Sequence, residues 1–440
     1  MATGRVAEKL AIHGGTPVRT KPFGSRWFFD EEERRQVLDV VDRAVEGGWG
    51  AANKAEAFED AFAKLHGVKY AFTTDSGTGA IHAAIGAVNP EPGDEIITTP
   101  VTDIGTVLGI MLQNAIPVFA DWDADAFNTD PADVERRITD RTRAIIAVHL
   151  FGNACDMDAM MDIGRRHNIP VIEDCSHAHL AEYKGKLVGT IGDMGCFSMG
   201  GKLITAGGGG MFISNNEELT RRAIGFARKG SEYDEGLRNS LRPTSDYPRH
   251  LSGDREGSRR GYSFLGDFHR MSPLQAAVGL AQLGRLEETM QRRGRVAEIV
   301  DDMVHELPGI MRPKYRPGDR ISYYHYVFKV EEEVLGVSPE RFAEALRAEG
   351  VQSGQGALAG QPLYRFPVFA EEQTYGNSRY PFVDEQGNRR IDYNALTLPV
   401  AERELPKIVS FGSNSRHTEE YAADIGNAIR KIALHYAARE

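Results

Sequence analysis

The sequence predicts an α/β protein: a mostly parallel sheet covered by helices, followed by a smaller α/β unit. Three observations carry this. Short apolar runs alternate with stretches of helical periodicity from Tyr70 to Asp174, and repeated strand–helix units of that kind close into parallel sheets with helices on both faces. The chain has 440 residues, enough for two or three domains. Apolar residues make up 41% and charged residues 26%, the balance of a globular chain with a large core.

Residues 1–30 are polar and marked by Gly and Pro, and read as an N-terminal arm. Glu31 to Glu46 is helical, with Val37, Leu38, Val40, Val41, Ala44 and Val45 forming a broad apolar stripe that Gly47 and Gly48 end. Ala55–Leu65 is a second amphipathic helix. Strands then alternate with helices: Tyr70–Thr73, Thr78–Val88, Glu95–Thr99, Ile104–Leu112, Val118–Asp121, Pro131–Ile138, Ala144–His149, Asp158–His167 and Pro170–Asp174. Two more strand signals follow, Met194–Ser198 and Met211–Ser214. Residues 228–262 lack periodicity and are rich in charge, Gly and Pro, which marks a long functional or disordered loop. Pro273 to about Glu306 reads as one helix leading into the smaller unit. That unit has a strand at Tyr324–Val330, a helix at Pro339–Ala348, an irregular stretch to Leu398 and a helix at Glu419–Tyr436. The resulting division is an arm over 1–30, a large domain over 31–285 and a small domain over 286–440.

Net charge is −11 and the sequence pI about 5.7, which argues against general nucleic-acid binding. Cys155, Cys175 and Cys196 form neither a disulfide framework nor a zinc pattern and fit a reducing cytoplasm. The N-terminus shows no secretory apolar run, and no stretch approaches the ~18 apolar residues of a membrane span.

The chemistry concentrates in residues 170–211. Asp174 ends an apolar strand, and Lys202 lies in a Gly-rich turn ahead of Gly207–Gly210. An anion and an amine so placed suit pyridoxal 5'-phosphate. That cofactor takes a lysine in Schiff-base linkage and an anion beside its pyridine nitrogen, so that the ring accepts electrons from a substrate carbanion. Glycines let backbone approach it closely. Ser76-Gly77-Thr78 opens a helix directly after a strand, where N–H groups and the positive end of the helix dipole hold a phosphate. On spacing alone the commoner reading is blander: a turn-capping Asp and a solvated loop Lys.

Longer segments weigh against the bland reading. EDCSHAHLAEYKGKLVGTIGD, CFSMGGKLITAGGGGM, HRMSPLQAAVGLAQLGRL, SGTGAIHAAIGA and FEDAFAKLHGVKYAF resemble, in order, the DegT/DnrJ/StrS-type sugar aminotransferases, which have the aspartate-aminotransferase fold. The resemblance runs from about Gly14 to about Ile432. It implies the type-I pyridoxal-phosphate fold, with the N-terminal arm packed on the small domain. It also implies transfer of an amino group from glutamate or glutamine to a keto-sugar or keto-cyclitol in secondary-metabolite or amino-sugar biosynthesis, and a homodimer with shared active sites.

By that resemblance Lys202 holds the cofactor and carries the proton, a task suited to an amine whose pKa burial lowers. Asp174 pairs with the pyridinium nitrogen, and His177 lies beside the phenolic oxygen. Ser76, Gly77, Thr78 and Ser198 take the phosphate. The chain departs from the family pattern at four places. Ser198 and Lys202 are four apart, one fewer than usual. Asp103 stands where an aromatic normally stacks on the ring. Gly208 replaces an acid, and Phe268 replaces an Asn that reaches the partner subunit's phosphate. Two readings of Asp103 stay open, an acid/base or substrate-binding carboxylate and a simple helix N-cap. Arg228, Lys229, Arg259 and Arg260 fit either a nucleotide diphosphate or a solvated charged loop. Two rival functions remain: dehydration, epimerisation or oxidation on the same cofactor, and a non-catalytic regulator or scaffold that kept the fold.

Overall fold

The computed structural model describes residues 8–21, 29–48, 53–230, 264–356, 360–414 and 416–437. Seven strands form the central sheet: β1 (Tyr70–Thr74), β2 (Glu95–Thr98), β3 (Ile116–Phe119), β6 (Thr142–Val148), β7 (Val171–Asp174), β10 (Met194–Ser198) and β11 (Gly210–Ser214). Two short hairpins, β4 (Trp122–Asp123) with β5 (Asn128–Thr129) and β8 (Glu182–Tyr183) with β9 (Lys186–Leu187), lie outside it. The spatial order is β1-β11-β10-β7-β6-β2-β3. Neighbours from β10 through to β3 pair in parallel, and β11 runs antiparallel to both β1 and β10. The link from β10 to β11 contains no helix, so the chain turns straight back, which only an antiparallel neighbour allows. Every residue of β2, β7 and β11 is buried, as expected of strands that read as continuous apolar runs.

The helices are α1 (Glu31–Gly47), α2 (Lys54–His66), α3 (Gly77–Val88), α4 (Gly105–Leu112), α5 (Pro131–Arg136), α6 (Met157–His167), α7 (Glu217–Ala227), α8 (Pro273–Leu283) and α9 (Leu286–Val304). Helix α1 starts on an Asp30/Glu33 capping box, and α8 on a Ser272/Gln275 box. The sequence pattern did not single out α7. The single helix expected from Pro273 onward breaks between α8 and α9. There the Arg285 side chain turns away to Asp30, at 3.0 Å, and to Glu33. The apolar stripe expected to bury α1 also differs. Val40 is buried, while Leu38, Val41 and Val45 stay exposed.

The second sheet has order β12 (Ile310–Met311), β13 (His325–Val330), β15 (Ile408–Gly412), β14 (Gly354–Gln355), all antiparallel. Helices at Pro339–Ala348 and Glu419–Ala437 and the helix α9 cover it around Val300, Phe328, Phe342 and Ile429. The N-terminal segment packs here: Leu10 joins this core, and Ala11 N and Val18 N donate to the Glu349 carboxylate. Not all of 286–440 belongs to this layer. Leu363, Tyr364, Phe369, Phe382 and Tyr393 pack into the core of the large sheet, and Tyr393 Oη donates to Pro117 O of β3 at 2.7 Å.

Candidate active site

At the C-terminal edge of the central sheet, the ends of β7 and β10 meet the first turns of α3 and α4 around a cavity of about 180 Å³. Ligands of open α/β sheets collect at such an edge. Thr78, Asp103, Asp174, His177, Ser198 and Lys202 all line this cavity.

Asp174 closes β7, paired in register with Val148 of β6 and Cys196 of β10. It is 3% exposed. A carboxylate so buried is costly unless hydrogen-bonded, and both oxygens are served. Thr106 Oγ1 donates to Oδ2 at 2.8 Å and Ser176 N to Oδ1 at 3.0 Å. The Thr106 hydroxyl lies 2.7 Å from that of Thr102, so a chain of hydroxyls at the start of α4 holds the acid.

Ser76 is the N-cap of α3. Its Oγ accepts from Gly79 N at 2.9 Å and its carbonyl from Ala80 N at 3.0 Å. The N–H groups of Gly77 and Thr78, in the first turn, then point out of the helix end. Ser198 abuts this turn. A Cβ on Gly77 would lie 2.4 Å from Ser198 Cβ, so only glycine fits. The shortened spacing between Ser198 and Lys202 thus does not keep Ser198 from the helix start.

Lys202 is half-buried. Its Nζ lies 3.5 Å from Tyr324 Oη and 4.6 Å from the centroid of that ring. His177 stacks on the same ring, with centroids 4.2 Å apart and planes 20° from parallel. Tyr324 and Thr106 are the residues that sequence reasoning missed. Tyr324 stands 122 residues from Lys202, and its one local signal is the aromatic run Tyr323-Tyr324-His325-Tyr326. Thr106 carried no signal beyond its spacing from Thr102.

Asp103 Oδ1 accepts from Gly105 N at 2.8 Å, so the side chain caps α4 while it borders the cavity. Gly208 has φ +121° between Gly207 at +74° and Gly209 at +98°. An acidic side chain there meets a backbone that L-residues avoid. Phe268 is half-exposed, with Lys229 Nζ 4.6 Å above its ring. Arg228 Nη1 donates to the carbonyls of Ala227 and His269. Arg259 and Arg260 lie outside the described residues.

A model of the DegT/DnrJ/EryC1/StrS aminotransferase family matches residues 30–430. The chain belongs to this family. It is 36% identical over 405 residues, 90% of each chain, to a Micromonospora echinospora protein provisionally named an L-glutamine:3-amino-2,3-dideoxy-scyllo-inosose aminotransferase. It is 33% identical to the L-glutamine:scyllo-inosose aminotransferase of Streptomyces griseus, over 96% of this chain and 97% of that one. Its fold superposes on the solved aminotransferase from Psychrobacter cryohalolentis with a TM-score of 0.80 at 27% identity, covering 94% of this chain and all of the other. As a DegT-family member the protein is a pyridoxal-phosphate-dependent aminotransferase. The donor set suits that cofactor: a buried carboxylate, a lysine amine and helix-start N–H groups share one cavity.

Proposed function

We propose that the protein moves the amino group of glutamine onto the carbonyl of a keto-cyclitol of the scyllo-inosose class, in antibiotic biosynthesis. The observation that carries this is the convergence of Lys202, Asp174 and Thr78, in the first turn of α3, on one cavity. It stands in a chain whose relatives, matched over nine-tenths or more of their length, are named for glutamine donors and inosose acceptors. When bound, pyridoxal phosphate supplies the electron sink for the substrate carbanion. In this reading Lys202 anchors it and moves the proton at the substrate carbon, and Asp174 faces the ring nitrogen. The N–H groups of Gly77 and Thr78 with the Ser76 and Ser198 hydroxyls hold the phosphate. His177, steadied by Tyr324, lies beside the ring's oxygen substituent, and Asp103 borders the face that an aromatic usually covers.

The proposal extends to a cytoplasmic homodimer, built from a cofactor domain over 31–285 and a smaller domain drawn from 286–440, of which Leu363, Tyr364, Phe369, Phe382 and Tyr393 pack on the first. The exposed apolar side chains Leu38, Val41 and Val45 on α1, with Phe264, Leu265 and Phe268, support the dimer. No helix among the described residues is long and apolar enough to cross a membrane.

The test is a panel of scyllo-inosose, 2-deoxy-scyllo-inosose and a nucleotide keto-sugar, each with glutamine or glutamate, followed by chiral product analysis. Amination of an inosose with glutamine is the expected result. Activity confined to the nucleotide sugar refutes the acceptor. Borohydride reduction and peptide mapping check the anchor, and a label away from Lys202 refutes the site.

A further inference from the structure

Within the second turn of α3, a second cluster of groups lies apart from the residues that line the cavity. His82 is 4% exposed. Its Nδ1 lies 3.2 Å from Nε2 of His269 and 3.5 Å from Oδ2 of Asp267, and His269 Nε2 is 3.4 Å from that same oxygen. Three lone-pair atoms thus sit on a nearly equilateral triangle.

Direct hydrogen bonding accounts for the edge between the two imidazoles and poorly for the other two. The two edges to the carboxylate are long beside the ~2.7–2.9 Å of a charge-assisted N–H···O bond. A tetrahedral zinc ion with Zn–N of about 2.0–2.1 Å and Zn–O of about 2.0–2.2 Å sets its ligand atoms about 3.3–3.5 Å apart. The observed edges match that tetrahedron.

The surroundings match it too. Metal-ligating histidines pass their other N–H to a carboxylate or carbonyl, which fixes ring orientation and tautomer. His269 Nδ1 lies 3.1 Å from Asp75 Oδ1. His82 Nε2 lies 3.0 Å from the Gln113 side-chain amide, whose oxygen and nitrogen are interchangeable by a half-turn. With the oxygen toward the ring, Nε2–H donates and the Nδ1 lone pair is free. Asp267 and Asp75 are half-exposed in the single chain, which gives the ion a way in. Gly79 makes room for the cluster: a Cβ there would lie 2.3 Å from Asp75 Oδ1 and 2.8 Å from His269 Nδ1.

We propose that His82, His269 and Asp267 form a zinc-class divalent-metal site whose fourth position is left to water. It clasps the 267–269 segment to α3 directly behind the Ser76–Thr78 turn. The site goes beyond amino transfer and does not depend on which ketone is the acceptor.

The experiment uses chelator-treated, desalted holoenzyme titrated with Zn²⁺ by calorimetry, with Co²⁺ as an optical probe of tetrahedral geometry. Wild type is expected to bind one Zn²⁺ per chain and to gain thermal stability on loading. His269→Gln and Asp267→Asn should weaken binding by at least about 100-fold, and Asp75→Asn by about 10–100-fold. Asp267 is half-exposed, so its variant tests the site without disturbing the core. Lys202→Ala should bind Zn²⁺ as wild type does, which separates this site from chelation at the cofactor. No stoichiometric binding by wild type, or unchanged binding in both His269→Gln and Asp267→Asn, overturns the proposal.

Discussion

Glu173 precedes Asp174 on β7 and points to the opposite face of the sheet. It is fully buried, and its carboxylate is enclosed by donors: His149 Nε2 at 2.9 Å and Gly189 N at 2.8 Å on Oε2, Ile191 N at 2.8 Å and Gly192 N at 2.6 Å on Oε1. Consider Glu173→Gln, which keeps volume and shape. Its oxygen can retain two of these bonds. Its NH2 must then face two N–H groups. His149 cannot relieve the clash by changing tautomer, because its Nδ1 already accepts from Cys155 N at 3.1 Å. Wherever the imidazole proton goes, two donors collide. A bond to a charged group contributes about 1.5–3 kcal/mol, so losing two costs about 3–6 kcal/mol. The assay is chemical denaturation of the apoprotein followed by circular dichroism, with ΔΔG taken from the shift in midpoint. Glu173→Ala strands all four donors and opens a cavity, so it should cost more than the Gln variant. A Gln variant within about 1 kcal/mol of wild type refutes the reasoning, because one hydrogen bond's worth is then the most that the carboxylate supplies.

Four further outcomes are expected. Tyr324→Phe removes a hydroxyl 3.5 Å from Lys202 Nζ but keeps the ring against His177. It should cost under about fivefold in kcat, a weak hydrogen bond's worth, while Tyr324→Ala, which also loses the cation–π contact, should cost about tenfold or more. Thr106→Val deprives the buried Asp174 carboxylate of a donor and should weaken cofactor retention by about 10- to 150-fold, read by equilibrium dialysis. Asp103→Asn keeps the cap on Gly105 N; wild-type kcat/KM in this variant, with Asp103→Ala losing about 0.5–2 kcal/mol of stability, identifies a cap, and a tenfold fall in both variants identifies a carboxylate that meets substrate. Burial pushes His66 down to about 4 and His179 to about 3; the unfolded chain therefore takes up protons first, stability is intact above pH ~6.5, and it should fall on acidification toward pH ~4 by up to about 1.4 kcal/mol per pH unit per histidine, a slope that His179→Phe should lessen in denaturation midpoints.

The parts of this fold that were legible in the sequence are those that local physics decides. Strands buried on both faces read as apolar runs, and β10 begins and ends where the pattern places it, at Met194 and Ser198. What escaped was decided by distant groups. The break between α8 and α9 follows where Arg285 finds Asp30 and Glu33, some 250 residues away. Tyr324 reaches Lys202 only once the second sheet has docked. The stripe on α1 was visible, but periodicity cannot say whether an apolar face meets its own core or another surface, and Leu38, Val41 and Val45 meet neither in the single chain.

Gly208 shows how a local departure becomes intelligible only through the tertiary structure. Gly207, Gly208 and Gly209 all have positive φ. The conformation they allow lets Gly209 N donate to Asp75 O at 2.8 Å, while Gly209 O accepts from Met199 N at 2.9 Å. One residue on, a Cβ at Gly210 would lie 2.2 Å from Ser76 O. The loop that bears Lys202 is therefore stitched, through backbone alone, to the turn that opens α3. An acid at Gly208 would need a different backbone path. The same stitching links the Lys202 loop, the Ser76–Thr78 turn and, through Asp75, the His82–His269–Asp267 triangle. A metal ion bound there would be felt first in the order of the Ser76–Thr78 turn, and only through it in catalysis.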